Sequence, residues 1–405
     1  MANTLLTIDM ITREALRLAH EKAVFIGTIN RQFDDSFGNA GAKIGDTLRI
    51  RYPSQYTRRS GSRVMDVQDS VQISTALTVA TQDGVDMRFN SRELALDLDE
   101  FSQIHLEPAM AVLMSNIDSD VLVGCTKSTY NVGGTAGTAV SSLTAPAAGR
   151  TRLNQNLAPK SDRRVHFDSG TMASIVSGVA AYFNPSNAIS EQYREGLIAR
   201  TAMADYYEND RVWAMANTTS VTLSTAKMNG YISTNGQTSL NITSLTVSSL
   251  NIGMKFTLGN VFDVHPETKQ AYAQAKQFTI VGKTDVSTYT ISPAVYISGA
   301  RQNVSGIGTT TSTQNLTFVG SPNSTYTLGL MYHKDAYTFA TAPLPLMSAS
   351  GNADRCVRRT YDGISLRVWQ DADIRNYELL TRIDILYGFA AIRPEWGCAI
   401  VGSAA

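Results

Sequence analysis

Apolar and polar residues recur with different spacings along this chain, and each spacing predicts a different kind of structure. From Ile8 to Phe25 the apolar residues follow helical spacing, which predicts an amphipathic helix that ends near Gly27. Two interpretations of this helix stay open. It packs on its own core if the protein is a monomer, or it is an arm that contacts a neighbour if the protein assembles.

Alternation of apolar and polar residues begins after Asn30 and predicts a long two-stranded ribbon. The alternating positions are Leu48, Ile50, Tyr52, Val67, Val71 and Ile73. The tip of the ribbon, residues 52–63, gathers Arg58, Arg59 and Arg63. Because the tip has almost no apolar side chain to pack on the chain's own core, it is expected to project.

Helical spacing returns between Glu100 and Lys127, with Pro108 near the start, where the first turn of a helix tolerates proline. One face carries Met110, Leu113, Met114, Ile117, Val121 and Cys125. Asp118 and Asp120 fall off that face. An apolar stripe of this kind is typical of a core, so it predicts a long structural helix rather than a cofactor site.

The segment that follows has a different amino-acid composition. Residues 131–160 are rich in Gly, Ala, Ser and Thr without periodicity, which predicts an extended or loosely ordered crossover. Order resumes at Arg164 with a short strand, a helix cap at Asp168 or Ser169, and an apolar helix that ends near Phe183.

The stretch from Asn217 to Thr327 is dominated by Ser and Thr and has very few charges. Its short alternating runs lie between Gly- and Asn-containing turns, which predicts an all-β insert in the form of a small closed barrel. Successive strands are predicted from Tyr332 to Ala405. The insert is therefore expected to interrupt a domain that begins near Arg164.

Composition limits the partners of this chain. Its 405 residues carry 35 Lys and Arg against 35 Asp and Glu, so no bulk field attracts nucleic acid or an anionic membrane. Charged residues make up 17% of the chain against about 25% in an average soluble protein. This low share indicates that part of the surface binds other proteins. Without a signal peptide or spanning segment, the chain is expected to be soluble and made in the cytoplasm.

The search for chemistry predicts no catalytic residue, no cofactor and no metal site. Gly282-Lys283-Thr284 has Gln277 where a phosphate-binding loop needs its first glycine. Ser365 continues along a strand, which cannot expose a nucleophile sharply. The histidines are isolated, and the three distant cysteines predict buried reduced thiols. The carboxylate pairs are interpreted as solvated edges or helix faces: Asp97/Asp99, Asp118/Asp120 and Asp371/Asp373.

The basic ribbon tip leaves two interpretations. Arginine beside Tyr52 and Tyr56 is also what a nucleic-acid groove offers. A flat ribbon on a chain of zero net charge is better suited to acidic patches of a neighbouring copy. Arg58, Arg59 and Arg63 are therefore predicted to lie in a subunit interface.

Three segments carry a resemblance to a known family: Phe183-Asn184-Pro185, Tyr193-Arg194-Glu195-Gly196-Leu197-Ile198-Ala199-Arg200 and Leu386-Tyr387-Gly388-Phe389-Ala390-Ala391-Ile392-Arg393-Pro394-Glu395. The chain resembles the major coat proteins of tailed double-stranded-DNA phages, in particular the short-tailed Salmonella-phage branch with an insertion domain. The resemblance implies an α+β, Hong Kong-type capsid fold. Its parts would be an N-terminal arm over 1–44, a β-ribbon loop over 45–90, a peripheral domain with a spine helix over 91–163, an axial domain over 164–216, a β-barrel insert over 217–327 and a second axial and peripheral part over 328–405.

The resemblance also implies a function. Copies of the chain would form the pentamers and hexamers of an icosahedral head, first as a procapsid built in the host cytoplasm on a scaffolding protein around a portal ring. Weak contact with packaged DNA and a decoration protein are compatible with it, and a membrane or cofactor is not implied. A β-rich tail or adhesion protein, which would form fibres, and an enzyme with scattered active-site residues remain as alternatives.

Overall fold

The computed structural model describes residues 8–32, 46–61, 65, 67–69, 72–90, 102–179, 204–217, 226–229, 232, 234–243, 250–285, 287–306, 314–346, 356–373 and 378–404. The chain forms two compact units. The first consists of Met1–Ile50, Ser74–Val121 and Tyr337–Ile392, and the second of Arg51–Ile73, Leu122–Ala336 and Arg393–Ala405.

The described part of the chain contains four α-helices: α1 (Ile8–Lys22), α2 (Glu107–Ser128), α3 (Thr144–Gln155) and α4 (Ser169–Val179). Helices α1 and α2 confirm the two long helices predicted from spacing. The cap predicted before α4 is also confirmed, because the Asp168 carboxylate accepts a hydrogen bond from the Thr171 amide at 2.9 Å. No helix among the described residues is both long enough and apolar enough to span a membrane.

Helix α3 corrects the prediction of a loosely ordered crossover over 131–160. The helix lacks a stripe of large apolar residues because its small residues lie close to a sheet. A Cβ atom at Gly133 would come within 2.9 Å of the Gly149 amide nitrogen, and one at Gly149 within 3.1 Å of the Met331 sulfur. Close packing through small residues gives a weak periodic signal, so the sequence pattern missed it.

The first unit is built on an antiparallel five-stranded sheet of β3 (Thr81–Asn90), β16 (Tyr337–Ala342), β17 (Cys356–Tyr361), β18 (Ile364–Asp373) and β19 (Glu378–Ala391). Strand β19 is central: β3 pairs along one side, and β16 and β18 pair with its two halves on the other. Helix α1 buries Ile11, Ala15, Leu18 and Ala19. It packs on β17 and β18 of its own unit.

A separate two-stranded sheet pairs β1 (Asp46–Arg51) with β2 (Ser74–Val79). This pair confirms that alternation around Leu48 and Ile50 marks a strand. The partner strand was wrongly placed, because it lies at Ser74–Val79 and the described residues among 67–73 are outside it. Strand β2 crosses β19 very closely, since a Cβ atom at Gly388 would overlap the Thr78 carbonyl oxygen. Glycine is therefore required at this crossing.

The second unit contains a six-stranded mixed sheet of β4 (Val132–Gly134), β5 (Arg163–Phe167), β6 (Asp205–Glu208), β7 (Ala214–Ala216), β15 (Thr325–His333) and β20 (Gly397–Ala404). Strands β4 and β20 are parallel, as are β5 and β6. Leu153, Val165, Phe167, Ile175, Met331 and Ile400 belong to the core between this sheet and the adjacent helices.

A seven-stranded antiparallel sheet completes the second unit with β8 (Lys227–Met228), β9 (Gln237–Thr243), β10 (Lys255–Val264), β11 (Ala271–Lys283), β12 (Thr288–Val295), β13 (Val304–Ser305) and β14 (Leu316–Phe318). Its strand order is β13-β10-β11-β12-β9-β8, with β14 also paired to β10. The Met228 amide bonds to the Gln314 carbonyl at 2.8 Å and the Leu316 amide to the Ala226 carbonyl at 2.9 Å, so backbone pairing continues from β8 to β14.

Candidate assembly surface

The loop between β1 and β2, residues 52–73 and hereafter the ribbon loop, is held by polar contacts. The Tyr52 amide donates to the Ile73 carbonyl at 2.8 Å, which extends the strand pairing by one step. Further out, the Gln68 side chain accepts from the Thr57 amide at 2.8 Å and donates to the Thr57 carbonyl at 2.8 Å. The Gln68 side chain therefore binds both backbone polar groups of Thr57, as a neighbouring strand would.

Large apolar side chains of the ribbon loop are turned to solvent. Tyr56, Met65 and Val67 expose 59%, 83% and 77% of their surface. Arg58 and Arg59 are exposed on the same loop, and Arg63 lies outside the described residues. Apolar groups exposed beside arginines are typical of a surface that another protein covers.

The arginines of the ribbon loop are visible in the sequence, whereas the exposure of Met65 and Val67 is not. Val67 was assigned to the apolar side of the ribbon, where alternation places it. Val67 lies in the ribbon loop and not in a strand, so the alternation rule does not apply to it, and the exposure of these side chains appears only in the structure.

Asp118 of α2 is the largest correction among the candidate residues. It was predicted to be solvated, but it is fully buried, and its carboxylate accepts hydrogen bonds from the backbone amides of Phe25 (2.8 Å) and Ile26 (3.0 Å). Those two amides lie in a buried turn after α1 and need acceptors there. The carboxylate thus fastens the end of α1 to α2.

The other predicted carboxylate pairs have mixed outcomes. Asp120 is exposed, as predicted, although its carboxylate and that of Asp83 each lie 3.0 Å from the Tyr387 hydroxyl. Burial, followed by the charge of Asp120, raises the pKa of Tyr387, which therefore stays protonated. Asp371 is exposed, while Asp97 and Asp99 lie outside the described residues.

His166 and the three cysteines are titratable groups that lie in the packed interior. His166 is fully buried and stacks between Tyr207 and Tyr332 at ring distances of 5.2 and 5.8 Å. Burial lowers the pKa of His166 to about 3, which keeps the imidazole neutral. The three cysteines are buried thiols that form no disulfide bond, and burial raises the pKa of Cys398 to about 12, so its thiol is unreactive.

The remaining sequence candidates also lie in ordinary structure. Lys283 ends β11, and the Thr284 amide bonds to the Thr288 carbonyl at 3.0 Å in the turn that follows. Ser365 is a buried residue of β18, and its amide donates to the Thr341 hydroxyl at 3.0 Å. Within the described ranges, no three potential metal ligands come together.

Comparison with known proteins decides the family. A family model described as "P22 coat protein - gene protein 5" matches residues 126–402, which is more than half of the chain. The chain belongs to this coat protein family. It is a major capsid protein of a tailed phage, copies of which associate to form the icosahedral head of the virion. The alternative of a fibrous tail or adhesion protein is not supported by this membership.

Solved structures similar to this coat protein also come from phages. A chain from Mycobacterium phage Che8 is 10% identical, with a TM-score of 0.49 over 93% of this chain and 90% of that one. The capsid of Ralstonia phage GP4 is 8% identical, with a TM-score of 0.44 over 91% and 86%. The capsid of cyanophage P-SCSP1u is 9% identical, with a TM-score of 0.43 over 89% and 84%. No curated protein sequence matches significantly.

The predicted fold class is confirmed by family membership and by the structure together: the coat protein is an α+β protein with a Hong Kong-type capsid fold. Of the three segments that carried the resemblance, only Leu386–Glu395 lies within the described residues. Its first part is the end of β19, where the required glycine is Gly388. The close approach of β2 therefore explains why one residue of that segment, Gly388, is a glycine.

Proposed function

We propose that this coat protein assembles through pentamers and hexamers into a procapsid, on a scaffolding protein and around a portal ring, and that the shell expands when DNA is packaged. Assembly takes place in the host cytoplasm, and the protein catalyses no reaction. Contact with DNA is weak and local because the chain has a net charge of zero. A decoration protein is an additional partner compatible with such a shell.

The observation that carries the assembly proposal is the ribbon loop. Full burial of one large apolar side chain stabilises a contact by about 1.5–3 kcal/mol, and Tyr56, Met65 and Val67 are all available for burial. Arg58, Arg59 and Arg63 then fix the orientation of the loop on acidic groups of a neighbouring copy. Many contacts of this moderate strength suit a shell better than one strong contact, because capsomers have two local symmetries.

We assign the seven-stranded sheet to a β-barrel insert. Its hydrophobic core is formed by described residues between Ala226 and Phe318, without side chains from the six-stranded sheet. The segment leaves from β7 and returns to β15, and these strands pair with Ala216 opposite Thr325. The Asn217 amide also bonds to the Ser324 carbonyl at 3.0 Å. Adjacent ends and a separate core are what an inserted domain requires.

The remaining domain boundaries follow the same proposal. Residues 1–44 form the N-terminal arm, although its helix α1 packs on its own unit. Residues 45–90 form the ribbon region and residues 91–163 the peripheral domain with α2 as its spine. The axial domain comprises 164–216 and part of 328–405. The six-stranded sheet supports the last assignment, because β5 and β6 from the first part lie beside β15 and β20 from the second.

Charge reversal tests the ribbon loop. Replacing Arg58, Arg59 and Arg63 together by Glu should abolish closed shells seen by electron microscopy, while circular dichroism of the unassembled subunit stays unchanged. The cause would be repulsion at acidic patches of the neighbour. A control with equal charge change replaces the exposed residues Lys160, Lys227 and Lys283 by Glu and should still assemble. Normal shells from the arginine variant would refute the interface assignment.

A further inference from the structure

The backbone from the C-terminal end of α2 to the start of β4 is bound to the seven-stranded sheet by hydrogen bonds from three side chains, Lys255, Gln277 and Thr279, hereafter the helix-end clamp. We propose that the helix-end clamp is an interlock: the last turn of α2 is held in place by the docked sheet, and the two loosen together. The inference concerns the second unit alone and does not depend on the ribbon-loop interface.

The end of α2 needs donors from elsewhere in the chain. The last four carbonyls of any α-helix have no partner within the helix, and many helices solve this with a glycine in the left-handed conformation. Here the helix ends at Ser128 and continues as Thr129-Tyr130-Asn131, without glycine. The Thr129 amide and hydroxyl both bond to the Cys125 carbonyl, at 3.2 and 2.8 Å.

Lys255 supplies the first donor of the clamp. Its side chain comes from β10, is 1% exposed, and donates from Nζ to the carbonyl of Thr126 at 3.0 Å and to the carbonyl of Thr129. A cation at this end also complements the negative end of the helix dipole. Lys255 therefore acts as a cap that belongs to another element.

Thr279 and Gln277 of β11 supply the other two contacts. The Thr279 hydroxyl donates to the Lys127 carbonyl at 3.0 Å. The Gln277 side chain accepts from the Val132 amide at 2.8 Å and donates to the Val132 carbonyl at 3.1 Å. Three neighbouring side chains of one sheet thus bind the backbone from residue 126 to residue 132, across the end of α2 and the start of β4.

The burial of Lys255 explains why the interlock is cooperative. The ammonium group loses its hydration in this buried site, and this loss lowers its pKa to about 7. Separation of the sheet from the helix end would leave Lys255 and the carbonyls of residues 126, 127 and 129 to find water at the same time. Partial separation leaves some of these groups buried without partners, which is costly.

Hydrogen exchange of the full-length, unassembled subunit tests the interlock. Lys255→Met keeps the length of the side chain and removes its donors, and amides of residues 122–132 should exchange about tenfold faster or more. Exchange within β17–β19 should not change. Lys283→Met alters an exposed lysine at the end of β11 and should leave both regions as in the wild type.

A second variant keeps the test decisive if Lys255→Met does not fold. Thr279→Val is nearly isosteric and removes one hydroxyl donor, so exchange at residues 122–132 should rise about fivefold. A rise in strands β10 and β11 alongside residues 122–132 would support joint loosening. Wild-type exchange at residues 122–132 in Thr279→Val, and in Lys255→Met where it folds, would overturn the proposal.

Discussion

The ribbon loop and the seven-stranded sheet belong to the same compact unit but are stabilised in opposite ways. The ribbon loop turns Tyr56, Met65 and Val67 to solvent and is held by the side chain of Gln68. The sheet instead buries Phe256, Phe278 and other large residues in a core of its own. In our proposal a partner completes the first region, whereas the second has a core formed by its own residues.

This difference predicts where a mutation should act. A substitution in the sheet should change the stability of the subunit, whereas a substitution in the ribbon loop should change only its association. A comparison of Phe256 with Tyr56 tests that distinction directly. Two buried polar residues elsewhere in the subunit, Asp118 and His166, are expected to affect its stability.

The largest effect is expected from removal of an aromatic ring in the sheet. The Phe256 ring is fully buried, with its centroid 5.7 Å from those of Phe278 and Phe318. Phe256→Ala should lower the free energy of unfolding by about 3–5 kcal/mol, measured by urea denaturation of the unassembled subunit. Tyr56→Ala should change it by less than about 0.5 kcal/mol. Equal losses would show that Tyr56 packs within its own subunit.

A somewhat smaller effect is expected at Asp118, where one polar group supports a buried turn. Asp118→Ala leaves the amides of Phe25 and Ile26 without this acceptor and should cost about 2–4 kcal/mol of unfolding free energy. Asp118→Asn keeps an oxygen acceptor and should cost less. Urea denaturation again measures both. If Asp118→Ala were as stable as the wild type, the turn would have to find other acceptors.

The smallest effect is a pH dependence from His166. Its pKa is about 3 in the folded chain because of burial, against about 6.5 unfolded, so between these values only the unfolded chain binds the proton. Stability from this group is complete above pH 6.5 and falls by about 1.4 kcal/mol per pH unit below it. Denaturation at pH 7 and pH 5 should show a smaller loss for His166→Phe than for the wild type. Parallel losses would contradict the assignment.

Much of the fold could be predicted because its elements have clear periods. Helix α1 was visible in the spacing of apolar residues from Ile8, and α2 in the stripe from Met110 to Cys125. The segment β8–β14 was visible as short alternating runs. Helix α3 was missed, because Gly149 and its other small residues allow close packing without a large apolar stripe.

The sites were harder to predict than the elements. Arg58 and Arg59 could be proposed as interface residues because charge clusters are visible in a sequence, and this stays a prediction. Asp118 and Lys255 were not, because their partners are backbone atoms far away along the chain: the Phe25 amide for Asp118 and the Thr126 carbonyl for Lys255. A charged side chain that serves backbone groups resembles a solvated one in the sequence.

The adjacent ends of the seven-stranded sheet have an evolutionary consequence. One continuous stretch of the gene encodes the whole sheet, and its ends meet where β7 pairs with β15. If the sheet is an insert, as proposed, recombination at the two ends of this stretch would exchange it without breaking the six-stranded sheet. An incoming domain must still bring donors for the carbonyls of residues 126, 127 and 129. Among exchanged domains, selection would then act on the three clamp positions more strongly than on the rest of the surface.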